Sequence, residues 1–112
     1  MTLSQTSNNV GTFAATTSSG NVSYVDADAL TIGSVATSGS FSSVSGVTSA
    51  GTLSVSTPGA LTINNNVTAP TSFTLSSDTD GNGGNLAFGA GSLVLASPTQ
   101  TFRAGNGTGS AT

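Results

Sequence analysis

A chain of 112 residues with 35% hydrophobic and 4% charged residues, a formal net charge of −3, and no Cys, His or Trp lacks the parts of most catalytic systems. Its acids are Asp26, Asp28, Asp78 and Asp80 and its one base is Arg103. Neither a Ser-His-Asp or Cys-His nucleophile, nor a His/Cys zinc site, nor a Lys Schiff base can be assembled, and one cation cannot neutralise a phosphate backbone, so the chain reads as neither an enzyme nor a nucleic-acid binder.

In chain order, residues 1–9 carry neither a basic region nor an apolar run, so no signal peptide is expected there. Nowhere does the sequence approach the roughly 18 consecutive apolar residues of a membrane-spanning helix. From Val22 onward the apolar residues come as alternating pairs, the period-2 mark of half-buried strands. They are Val22/Tyr24, Leu30/Ile32, Leu53/Val55, Leu61/Ile63, Phe73/Leu75, Leu86/Phe88 and Leu93/Leu95. Between them lie turn formers at 17–21, 36–40, 56–60 and 80–85, rich in Gly, Asn, Ser and Pro. The residues between each pair, Ser23, Thr31, Ser54, Thr62, Thr74 and Ala87, are expected on an outer sheet face. Tyr24 and the five Phe residues are expected to fill the core or its seams.

The spacing of the pairs carries more than their existence. Leu53, Phe73 and Leu93 fall 20 residues apart, and residues 20–32 align with 51–63 at an offset of 31. That second offset fits a unit of about 20 carrying an insertion near 41–47. Short strands recurring at this period predict an all-β parallel β-helix, or β-solenoid, with coils of about 20 residues stacked about 4.8 Å apart. Five or so coils would make a rod on the order of 25 Å long. The alternative is an antiparallel β-sandwich, which also shows many short strands. Residues 1–112 are read as a single solenoid segment. Its uncapped strand edges imply either flanking repeats of a longer chain or end-to-end association with copies of itself.

The segments Gly20-Asn-Val-Ser-Tyr-Val-Asp-Ala-Asp-Ala-Leu-Thr-Ile-Gly33, Gly59-Ala-Leu-Thr-Ile-Asn-Asn-Asn-Val67 and Asp80-Gly-Asn-Gly-Gly-Asn-Leu86 resemble the repeats of filamentous-haemagglutinin-type exoproteins, the large bacterial adhesins of the two-partner secretion and autotransporter classes. The resemblance spans residues 8–109 and implies a right-handed parallel β-helix, secretion across an outer membrane, and a stalk or adhesive role at the bacterial cell surface. A host receptor or glycan is the partner it suggests. The absence of Cys is similar to what such secreted passengers show. The loop 36–47, the apparent insertion, is the place where a specific contact is expected.

Few constellations suggest chemistry. Asp78-Thr79-Asp80-Gly81-Asn82-Gly83 sets oxygen donors at the first, third and fifth positions and Gly at the sixth, as a calcium loop opens. Asp78, Asp80 and Asn82 are therefore candidate calcium ligands, although the twelfth position is Gly89 and not the bidentate Glu of an EF-hand. The competing reading is a plain polar turn between coils, with no cofactor at all. Asp26 and Asp28 share a face by spacing, but without a second base or a His nearby they read as solvent-facing charges that oppose edge pairing. The glycines at 81–84 precede neither a Lys nor a helix and make no phosphate cradle. Asn-x-Ser/Thr triplets at Asn21, Asn66 and Asn106 are no more than this composition supplies by chance. Single outward Thr residues mixed with Ser and Ala do not form the regular paired ranks that ice binding would need.

Overall fold

The computed structural model describes residues 1–89 and 91–105, so the Asn106 triplet lies outside the described residues. Within them every regular element is a strand. The first circuit holds β1 (Thr2–Leu3), β2 (Thr12–Phe13) and β3 (Ala15–Thr16). The second holds β4 (Val22–Val25), β5 (Leu30–Ile32), the pair β6 (Ser34–Val35) and β7 (Val44–Ser45), and β8 (Val47–Thr48). Then come β9 (Leu53–Ser56), β10 (Leu61–Ile63) and β11 (Val67–Thr68), followed by β12 (Ser72–Ser77), β13 (Leu86–Phe88) and β14 (Leu95–Ala96). The last strand is β15 (Thr99–Ala104).

These strands form three parallel sheets that the chain enters in fixed rotation. Sheet A is ordered β1-β4-β9-β12-β15, sheet B β13-β10-β5-β2 and sheet C β14-β11-β8-β3. Parallel pairing throughout the three sheets sets aside the antiparallel sandwich. β6 and β7 pair antiparallel, as a hairpin beside the main stack.

In the inner strands of the three sheets alternation places the apolar residues inside. Sheet A stacks Val22, Leu53 and Phe73 in one rank and Tyr24, Val55 and Leu75 in the next. Sheet B stacks Leu30, Leu61 and Leu86, and sheet C stacks Ala15, Val47, Val67 and Leu95. Their side chains form one buried cluster shared by the three sheets, with Leu95 partly buried against it. A side chain in such a rank touches its counterparts above and below, so a two-residue strand with a single apolar residue, as in β8 or β11, still contributes to a continuous core.

Hydroxyls make the outer ranks. Ser23, Ser54 and Thr74 line sheet A between Thr2 and Thr101, Thr12, Thr31 and Thr62 line sheet B ahead of Ala87, and Thr16, Thr48 and Thr68 line sheet C ahead of Ala96. The outward face expected of these residues is thus observed, and it is more regular in threonine than the sequence spacing alone indicated.

The circuits are unequal, for reasons visible residue by residue. Val22 lies beside Leu53, 31 positions on, and Leu53 beside Phe73, 20 positions on. The longer step comes from the connection between β5 and β8, residues 33–46, which contains the hairpin where the 20-residue step has only 64–66. The predicted insertion is therefore real and begins earlier than expected, at Ser34. Gly46 closes it with φ of 71°, its amide donating to the Gly33 carbonyl at 2.8 Å. A Cβ at this glycine would strike the Asn66 carbonyl.

Phe73 pairs with Gln100, not with Leu93. The expected strand at Leu93/Leu95 begins only at Leu95, and Leu93 packs partly buried against the core. The long turn 78–85 and the connection 89–94 delay the chain, so the last sheet A step is 27 residues, from Ser72 to Thr99. Asparagine side chains tie circuits together at the turns: Asn21 Oδ1 accepts from the Thr52 amide at 2.8 Å and Asn66 Oδ1 from the Val94 amide at 2.9 Å.

Candidate functional site

The turn after β12 gathers the residues singled out for calcium. Asp78 stops the strand with φ of 51°, a left-handed conformation unusual for a residue with a side chain. Its amide donates to the Gly59 carbonyl at 3.1 Å, its carbonyl accepts from the Gly81 amide at 3.3 Å, and its Oδ1 accepts from the Gly83 amide at 2.7 Å. The residue is fully buried. Asp80, two positions on, is exposed, and its two oxygens accept from the Asn82 amide at 3.1 Å and from Asn82 Nδ2 at 2.8 Å. Those bonds from Asn82 hold the Asp80 carboxyl below the usual carboxylate range. The carboxylates of Asp78 and Asp80 thus each fold the turn onto itself, one inward and one outward. Among the described residues no group of three or more His, Cys, Asp or Glu could hold a metal ion.

A cleft of about 290 Å³ opens beside this turn. It is lined by Ser76, Ser77, Asp78, Thr79, Arg103 and Gly105. Arg103 sits beside Ser76 in the sheet A register, which brings the chain's one base to three hydroxyls and a carboxylate.

Asp26 corrects the sequence expectation. It was expected to face solvent beside Asp28, and it is instead buried, 1% exposed. Its Oδ2 accepts from the Tyr24 hydroxyl at 2.6 Å and the Val10 amide at 3.2 Å. Its Oδ1 accepts from the Ala27 amide at 2.9 Å and the Asp28 amide at 3.2 Å. Burial pushes this carboxyl up, but the bonds from Tyr24 and the Asp28, Val10 and Ala27 amides outweigh it and leave it below the usual carboxylate range. Tyr24 moves far above the usual phenol range, through burial first and then its bond to Asp26. Asp28 is exposed and accepts from Asn9 Nδ2 at 3.0 Å, so the two carboxylates do not share a site. The signal was present in the sequence: Val22, Tyr24 and Asp26 keep one parity, and that parity points inward.

Of the aromatics expected in the core or its seams, Phe41 lies outside, and Phe88 and Phe102 keep inward positions but are partly exposed at the end of the stack. Phe41 is 81% exposed, in the turn of the hairpin closed by the Ser38–Phe41 bridge. Phe88 and Phe102 are each 38% exposed on the last strands of sheets B and A, their rings edge to face at 5.6 Å. At the opposite end Phe13 and Tyr24 stack at 4.2 Å. No helix among the described residues is long and apolar enough to cross a membrane. Comparison with known proteins finds no matching family model, no matching curated protein and no matching solved structure.

Proposed function

We propose that this chain is a structural repeat segment of a secreted bacterial surface fibre or adhesin, folded as a right-handed parallel β-helix and serving as a stalk at the cell surface. The observation that carries the reading is the set of three parallel sheets entered in rotation over one shared core. Such a ladder resists extension because every main-chain bond between circuits lies across the same narrow stack. The hydroxyl ranks, with 4% charged residues in the chain, supply a hydrated surface without strong fields. In this reading the protein is not an enzyme and needs no cofactor. Its ends meet flanking repeats or copies, and the exposed hairpin at 34–45 is the element offered to a host receptor or glycan.

An antibody raised against the folded chain, applied to intact and to permeabilised cells of the source bacterium, tests the location. Labelling of intact cells is expected. Labelling confined to permeabilised cells would remove the fibre reading.

A further inference from the structure

We propose that a second copy of this chain stacks head to tail on the last strands, with β15 of one copy taking the position that β1 holds on the next copy's β4. The inference rests on the stacked-strand reading above and adds the partner and the joint. Among the described residues, β1, β2 and β3 pair on one side only, as do β15, β13 and β14 at the other end. Unpaired parallel edges recruit strands unless charge, Pro or a covering element blunts them. Here the edge strands carry one charged residue, Arg103, and no Pro.

The strand count fixes how two copies fit. Among the described residues sheet A holds five strands and sheets B and C four each. Because the chain visits A, B and C in rotation, the positions due after β15 lie in B and then C. A second copy that fills them with its β2 and β3 brings its β1 to the position that β15 already occupies. Of the two competitors, β1 is a pair of exposed residues and β15 has six. The shorter strand yields.

The side chains at such a joint match. Phe102 and Leu3 belong to the same inward rank of sheet A, through Leu75, Val55 and Tyr24. Replacement therefore sets Phe102 beside the next copy's Tyr24. In sheet B, Phe88 continues the rank of Ile63, Ile32 and Phe13 and meets the next copy's Phe13. The edge-to-face pair at one end thus closes on the stacked pair at the other, covering two rings that are each 38% exposed. In sheet C, Leu95 meets Ala15, large against small. Surfaces that differ at the two ends make a heterologous contact, which propagates.

Engineered cysteines test the joint, since the chain has none of its own. Thr101→Cys and Ser23→Cys are outward residues of one rank, separated within a copy by three strand steps, about 14 Å and beyond disulfide reach. Mixing the two single variants under mild oxidation is expected to give the mixed disulfide dimer, and light scattering of the unmodified chain a mass that rises with concentration. A constant monomer mass without the mixed dimer overturns the proposal. So does preferential linkage of Thr101→Cys to Thr2→Cys, which would mean that β1 stays in place, or to itself. A monomer that keeps a β-rich circular dichroism spectrum and melts cooperatively ends the stacking proposal while the stalk reading stands; loss of that folded signature removes both.

Discussion

Replacing Asp26 by Asn tests whether this buried carboxylate holds the first circuit onto the second. The Asn carbonyl can still accept from the Ala27 and Asp28 amides, as Oδ1 does now. Its NH₂ then takes the place of Oδ2, which accepts from Tyr24 and Val10. The Tyr24 hydroxyl can rotate and accept from the new amide. The Val10 N–H cannot, and two donors are left facing one another. Losing a charge-assisted bond and stranding a partly buried amide costs about 2–3 kcal/mol, or a Tm lower by on the order of 10 °C. The pH dependence gives an independent check. The folded carboxyl lies below its ordinary value of 3.8, so in acid the unfolded chain binds more protons than the folded one, and stability rises with pH in that range. The contribution is complete above the unfolded value and fades as pH falls through the folded one. Urea unfolding followed from pH 7 down to pH 2 should show the Asn variant less stable at neutral pH and with a flatter acid slope. A loss under about 0.5 kcal/mol together with an unchanged acid slope would refute the clamp, because exposed substitutions behave that way.

Leu61→Ala, in the middle of sheet B between Leu30 and Leu86 and fully buried, should cost about 3–4 kcal/mol in urea unfolding, since a narrow laddered core has little room to collapse into the cavity. Phe41→Ser, on the exposed hairpin turn, should leave stability within about 0.5 kcal/mol, and a larger loss would mean that the ring packs against something. Gly46→Ala should be far more damaging than Gly39→Ala: both have positive φ, but only the former would drive a Cβ into a neighbouring carbonyl, so equal melting temperatures would contradict the closure described above. If the turn 78–83 is held by its own bonds, millimolar calcium should leave the Tm unchanged and Asp80→Ala should lower it only slightly; a calcium-dependent rise that Asp80→Ala abolishes would support the metal reading instead.

How far the sequence reaches depends on which interaction decides each feature. Six of the seven apolar pairs lie on strands, where alternation sets their parity and, except at Phe88, burial follows it, and the 31-residue offset survives as the register of β4 on β9. The seventh, at Leu93, failed because an interval of 20 counts residues, while pairing counts positions after the turns have taken their share. Strands such as β3 and β11 show one apolar residue each and gain their partners only across circuits. At Asp26 parity prevails over charge, and no local pattern announces that Tyr24 and three amides stand ready to receive a carboxylate. Phe88 and Phe102 keep core parity yet lie on the last strands of their sheets, a property of position in the stack and not of composition.

At the base of the hairpin at 34–45 the Gly46 amide donates to the Gly33 carbonyl, Ser34 pairs with Ser45 in register, and their hydroxyls lie 2.7 Å apart. Its two ends are thus already joined, whatever lies between them. Lengthening a loop whose ends are held costs little, growing only with the logarithm of its size. The site is therefore a socket: foreign peptides set between Ser38 and Phe41 can change in sequence and length while the scaffold keeps its register, and a single frame can carry a library of displayed epitopes.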